Sequence, residues 1–345
     1  MLRGVGKRFV ALPVFITKTM KYTISTYAIW EFGQRKDDDG NPHQEDSMFP
    51  AYGEAKAEDR LFLVCDGMGG HDSGEVASAT VCEAMSAAIL AKCPGEDEPF
   101  TTEIAQEAIA AAYDALDDKD THAKKKMGTT MTMLKLHSAG ATIAHIGDSR
   151  VYHIRPGRTA KTTQILHKTY DHSLVNDLVK IGELTPEEAR NSHRKNVLTR
   201  AMQPHLERRC KADIYETADI RPGDIFYMCS DGMLEEMEDE QICFIFSDES
   251  PKLTTMESKV ELLRANTEEN HDNHTAYIIR IESVDGVTVQ PRIPTLSARI
   301  NHSIAKIAPR RRAAKKQEPE PNYLWLLVCV VAIAFIVTML FLLLK

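Results

Sequence analysis

Five short acidic segments hold the residues best suited to chemistry: Gln44-Glu45-Asp46, Asp66-Gly67-Met68-Gly69-Gly70-His71, Gly147-Asp148-Ser149-Arg150, Ser230-Asp231-Gly232 and Asp272-Asn273-His274-Thr275. Each sets an aspartate at the end of an apolar run. One such aspartate is an ordinary turn cap, whereas five in one chain point to strand ends that converge. Converged carboxylates repel unless cations neutralise them, and hard divalent ions such as Mg2+ or Mn2+ prefer all-oxygen sites that keep several waters. Two such ions about 3.5–4 Å apart would activate a bridging water and clamp a phosphoryl group.

Competing motifs fail on spacing. Gly67-Met68-Gly69 starts like a dinucleotide fingerprint, but Asp72 stands where the third glycine belongs. Asp37-Asp38-Asp39-Gly40-Asn41 has the look of a calcium loop, but its sixth place is Pro42 rather than glycine. Ser149 lies in a tight turn with no nucleophile-elbow context, so a serine hydrolase is not supported. The seven cysteines include no CxxC pair, which fits reduced thiols in a cytosolic body rather than a disulfide framework.

Read in order, QED, DGMGGH, GTT, GDSR, SDG and DN-x-T resemble the metal-dependent protein phosphatase family, type 2C, in its bacterial form. The resemblance spans roughly residues 25–282, and DGMGGH followed by Gly74-Glu75 is its most specific part. It implies a four-layer αββα sandwich of two antiparallel sheets flanked by helix pairs. It also implies hydrolysis of phosphoserine and phosphothreonine on proteins by a metal-activated water at a binuclear Mg2+ or Mn2+ centre.

Carried over by motif, Asp66 bridges the two core ions, Gly67 ligates one through its carbonyl, and Asp231 and Asp272 complete the carboxylates. Asp46 acts mostly through water, with Glu45 beside it, and Asp148 matches the position that helps hold a third, weaker ion. His71 is a candidate proton donor to the leaving alkoxide, since an ordinary histidine titrates near pH ~6.5; the alternative is a loop histidine that orders the turn. Asn273 would orient Asp272 or a water. The family usually has an arginine a few residues before the Glu-Asp pair, to bind substrate phosphate bidentately. Here the position five before Asp46 is Asn41 and the nearest arginine is Arg35, so an insertion of about six residues is expected, with Arg35 keeping the phosphate role. Otherwise Arg150 or a lysine would substitute, or the chain would be a catalytically weak metal-binding module that docks phosphoproteins.

Elements that could position these residues are legible as short runs. Leu61–Cys65, Thr129–Leu136, Ala141–Ile146, Val151–Ile154, Asp224–Cys229 and Ala276–Ile281 read as strands. Glu75–Lys92 and Thr102–Leu116 read as helices, and a further helix starts at Thr185 with Pro186 at its first position and Glu188 completing a capping box. Helices in pairs between blocks of strands favour an α+β layered fold over a doubly wound parallel sheet.

Charge then divides the chain. Residues 1–289 carry 33 basic and 48 acidic side chains, residues 290–344 carry 8 and 2, and Lys345 adds one more to reach the net −8. An acidic body argues against nucleic-acid binding. Leu324–Leu344 is 21 residues without a charge, enough for a helix of about 31 Å across a bilayer. Arg310, Arg311, Arg312, Lys315 and Lys316 precede it, which by the positive-inside rule puts the body in the cytoplasm. The expected organisation is an N-terminal extension (1–21), a catalytic domain (22–283, with a flap at about 171–202), a basic juxtamembrane linker (284–321) and a single-pass transmembrane anchor (322–345). Phosphoserine and phosphothreonine proteins, a membrane Ser/Thr kinase or its substrates, and the lipid bilayer are the expected partners.

Overall fold

A computed structural model describes residues 19–37, 39–69, 72–98, 100–120, 127–235 and 237–286. Within them eleven strands form: β1 (Lys21–Glu31), β2 (Asp46–Phe49), β3 (Leu61–Met68), β4 (Gly128–Thr129), β5 (Met131–His137), β6 (Gly140–Ile146), β7 (Arg150–Arg155), β8 (Gln164–Lys168), β9 (Asp213–Thr217), β10 (Ile225–Cys229) and β11 (His274–Asp285). Six helices accompany them: α1 (Asp72–Lys92), α2 (Thr102–Lys119), α3 (Leu174–Lys180), α4 (Pro186–Arg190), α5 (Asp239–Phe246) and α6 (Met256–Thr267). One antiparallel sheet runs β1-β11-β10-β7-β8 and the other β2-β3-β5-β6-β9, with β4 paired to β3.

Successive strand residues face opposite ways, and here both faces of each sheet are covered. In β3, Leu61, Leu63 and Cys65 pack under α1 and α2, while Phe62 and Val64 point between the sheets. In β10, Phe226 and Met228 meet them there, while Ile225, Tyr227 and Cys229 pack against α5 and α6. Three apolar cores between four layers follow, the expected αββα sandwich. This also explains why the central strands read as unbroken apolar runs rather than alternating ones.

Helix starts match their local chemistry. Thr101 caps α2 by accepting from the Ile104 N–H, and Thr185 with Glu188 forms the expected capping box on α4. The expected strand Thr129–Leu136 divides into β4 and β5, and β11 extends beyond Ala276–Ile281 at both ends because β1 pairs with it from His274 to Asp285. Ser73–Lys92 is long and apolar enough to cross a membrane, but its Ala77, Val81, Met85 and Ile89 are buried against the sheet, so it is a core helix. The expected linker from residue 287 onward, the anchor and the extension up to residue 18 lie outside the described residues.

Candidate metal centre

Four strand ends and one adjoining loop deliver the aspartates to a cleft of about 450 Å³ lined by Arg35, Asp66, Gly67, Asp148, Asp231 and Asp272, among others. Asp46 opens β2 and sits directly across from Asp66 on β3. Like charges placed opposite each other on neighbouring strands destabilise a sheet, so this pair is costly without a counter-ion. Asp148 lies between β6 and β7, Asp231 follows β10 in a short 3-10 turn, and Asp272 precedes β11.

The electrostatics record the crowding. Burial, then Asp46, Asp231, Asp272 and Asp148, push Asp66 well above the usual carboxylate range. Burial likewise raises Asp46, where Asp272 and Asp231 add to it and a 2.7 Å hydrogen bond from the Ser230 hydroxyl opposes it. Asp148 is pushed up to about 8 and Asp231 to about 6, burial leading in both and neighbouring aspartates adding to it. Asp231 Oδ1 is buried without a hydrogen-bond partner, and an orphaned carboxylate oxygen costs free energy unless a cation or proton satisfies it. Oxygen donors, surplus negative charge and this orphan fit hard divalent ions.

Backbone geometry is equally specific. A Cβ on Gly67 would lie 2.2 Å from the Gly74 carbonyl oxygen and 2.5 Å from that of Glu45, so only glycine lets β3 pass this close to the start of α1. Thr129 and Thr130 fix Asp66 from behind. The Thr130 hydroxyl accepts the Asp66 N–H at 2.9 Å, the Thr129 hydroxyl donates to the Asp66 carbonyl at 2.9 Å, and the Thr130 N–H donates to that carbonyl at 2.8 Å.

Arg35 lies in the cleft as expected. Its guanidinium pairs with Glu45 and reaches Asp272 through Nε at 2.7 Å and Nη2 at 3.1 Å. Burial disfavours its charge, but Asp272, Glu45, Asp66 and Asp46 outweigh burial and hold it cationic. The residues after it turn back on themselves: Lys36 bridges Pro42, the Asp37 carboxylate accepts the N–H groups of Asp39 and Asn41, and the His43 N–H donates to the Arg35 carbonyl at 3.2 Å. This closed turn spans the stretch between Arg35 and the Glu45-Asp46 pair. Asn273 staples its base, with Nδ2 donating to Phe32 O at 2.7 Å and His43 O at 2.8 Å while Oδ1 accepts the Glu45 N–H at 2.8 Å. Its backbone N–H donates to Asp272 Oδ1 at 2.7 Å. The side chain therefore organises the Arg35 loop, and the backbone orients Asp272.

A family model described as "Protein phosphatase 2C" matches residues 32–270. The chain belongs to the protein phosphatase 2C family. Its relatives include bacterial proteins named as serine/threonine protein phosphatases. The protein phosphatase PhpP of Streptococcus pneumoniae is 30% identical over 231 residues, 65% of this chain and 87% of its own length. The serine/threonine protein phosphatase PstP of Mycobacterium tuberculosis is 34% identical over 212 residues, 58% of this chain and 35% of its own, so the chain spans about a third of that relative. The crystal structure of the catalytic domain of PstP in complex with 2 manganese ions is similar with a TM-score of 0.57 and 28% identity, covering 76% of this chain and 99% of that one.

Within this 2C-family site, three features escaped the motif reading. Arg150 is bound bidentately by Asp171 at 2.7 Å and donates to the Tyr152 hydroxyl at 3.0 Å, which commits it to structure and removes it as a substitute for Arg35. The Glu235 carboxylate accepts the N–H groups of His271 and Asp272 at 3.0 and 3.1 Å. Arg200 lines the cleft, whereas the exposed His193, Arg194 and Lys195 lie outside that lining. His71 lies outside the described residues.

Proposed function

We propose that this chain hydrolyses phosphoserine and phosphothreonine on proteins as a Mg2+- or Mn2+-dependent phosphatase, held at the membrane by residues 322–345 with its catalytic body in the cytoplasm. The observation that carries the catalytic reading is the convergence of Asp66, Asp148, Asp231 and Asp272 from separate segments on one cleft, with Asp46 directly across from Asp66 and Asp231 Oδ1 buried and unsatisfied. Asp66, Gly67, Asp231 and Asp272 would hold two core ions, with Asp46 acting mostly through water and Asp148 serving a third, weaker one. When bound, the ions supply an activated water and positive charge against the phosphoryl oxygens.

The chain's own residues do the rest. A guanidinium has five N–H donors. Three of those on Arg35 are committed to Glu45 and Asp272, leaving one on each Nη for a bidentate grip on phosphate. Glu45 and Asn273 keep that fork aimed at the cleft. His71 donates the proton that the leaving alkoxide needs. The apolar run of residues 324–344 and the basic residues before it support the tether, and a membrane Ser/Thr kinase or its substrates are the proposed partners.

Assay of the full chain on a phosphothreonine peptide with Mn2+ should release phosphate, and Asp231→Asn should reduce that release by two orders of magnitude or more, on the order of the loss of one transition-state-stabilising group. Turnover without metal would overturn the reading, as would saturable phosphopeptide binding with no phosphate released, the signature of a docking module.

A further inference from the structure

Tyr170, Asp171 and His172 follow one another ahead of α3, and each grips a different part of the turn that carries Asp148. The Tyr170 carbonyl accepts from His145 Nε2 at 2.9 Å. Asp171 takes both arms of Arg150. His172 accepts the Gly147 N–H on Nδ1 at 3.1 Å and returns its own N–H to the Gly147 carbonyl at 2.9 Å.

His172 also reaches away from that turn. Its Nε2 lies 3.2 Å from Asp213 Oδ2, its carbonyl accepts the Thr199 N–H at 2.8 Å, and its ring stacks on His145 with centroids 4.5 Å apart. Arg200, on the cleft wall, donates to Asp213 Oδ1 at 2.9 Å. One imidazole, 4% exposed, thus touches the Asp148 turn, the cleft wall and β9.

His145, His172 and Asp213 bring ligand atoms within 4.8 Å of one another, a spacing that would suit a transition metal. The protons argue otherwise. A backbone N–H can only donate, so His172 Nδ1 is the bare nitrogen and Nε2 carries the proton of the neutral ring. Burial and His145 both keep that ring below the ordinary histidine range. An ion on Nε2 would have to displace the only ring proton and create an imidazolate. The place is also taken, because Arg200 Nη1 lies 3.1 Å from His172 Nε2.

We infer that His172 is a positioning residue that fixes the Asp148 turn and the Arg200 wall to each other, so that one buried side chain sets both the ion position at Asp148 and the substrate-facing wall. This rests on the phosphatase reading above. Its two ring nitrogens serve the two halves separately, and two variants divide them. In His172→Asn the amide oxygen stands in for Nδ1 and keeps the Gly147 bond. In His172→Gln the amide nitrogen stands in for Nε2 and keeps the Asp213 bond.

Calorimetric titration of the full chain with Mn2+, beside phosphopeptide KM and kcat, tests this. His172→Gln should weaken the weakest Mn2+ site by about tenfold or more and leave KM close to wild type, the usual cost of losing an outer-shell partner. His172→Asn should keep Mn2+ binding within about twofold and raise KM by about fivefold, again a shell effect without loss of a ligand. Asp213→Asn, on a half-exposed side chain that tolerates change, should reproduce the His172→Asn pattern and decides the matter alone if the buried variants do not fold. Wild-type Mn2+ binding in His172→Gln, or an unchanged KM in Asp213→Asn, overturns the inference. A wild-type chain that binds Mn2+ but hydrolyses no phosphopeptide overturns the phosphatase reading instead.

Discussion

Asp46 and Asp66 sit directly opposite each other on adjacent strands, and the cost of that like-charge pairing falls when a cation or proton arrives. Asp148 makes this measurable. In the folded, metal-free chain it keeps its proton up to about pH 8, whereas an unfolded aspartate releases it near pH ~4. Over that interval the folded state binds more protons than the unfolded one. The stability contributed by this group is therefore present at low pH and lost as pH rises towards 8. His137 and His167, each pushed down to about 4 by burial, act in the opposite sense below pH ~6.5, so the clean comparison is between variants. In EDTA, urea midpoints of wild type and Asp148→Asn should lie closest at about pH 4, near the unfolded carboxylate's own titration, and the variant should become progressively the more stable of the two from there to pH 8. Equal midpoints at both pH values would contradict the crowding described. At Arg35, replacement by lysine keeps the charge but loses the fork; kcat/KM on a phosphopeptide should fall by about 10- to 100-fold, the range of a lost charge-assisted hydrogen bond, with Mn2+ affinity little changed.

The turn from Lys36 to Pro42 is a closed element beside the site. Its ends are tied by the Lys36–Pro42 bridge and the Arg35–His43 hydrogen bond, and Asn273 holds the base from below. Loop length by itself costs little, about 0.6 kcal/mol per doubling. Replacing Asp37–Asn41 with a two-residue turn should therefore change unfolding free energy by less than about 1 kcal/mol and leave phosphopeptide KM near wild type. A KM that rises as far as in Arg35→Lys would mean that the turn itself aims the arginine. Other elements were less legible. β2, β8 and β9 are four or five residues long, and β8 and β9 are edge strands with mixed, half-buried faces, so neither length nor alternation marks them. β1 carries Ser and Thr at several positions, and its strand character becomes clear only from its ladder with β11.

At the scale of the whole molecule, three cores stacked between four layers make the site a by-product of architecture: strand ends meet because two sheets pack face to face. The proposed tether would then concern where the chain works and not how. Cell fractionation should place the full chain with membranes and a chain ending before Leu324 in the soluble fraction, with phosphopeptide kcat alike in both. A truncated chain that still sediments with membranes would refute the anchor.

The sequence by itself determined the five aspartates, the glycine that must lie beside Asp66, the paired helices and the apolar segment at residues 324–344, because each is a local signal written in a few adjacent residues. The phosphate role proposed for Arg35 came only from the family resemblance. The tertiary structure decided what depends on pairing between distant positions: Asp46 opposite Asp66, Arg150 consumed by Asp171, Asn273 acting on the Arg35 loop, and His172 holding the Asp148 turn against the wall that carries Arg200. A carboxylate or an imidazole has the same spelling whether it binds an ion, a backbone N–H or a guanidinium. Which of these it does is fixed by what burial leaves within about 3 Å of it.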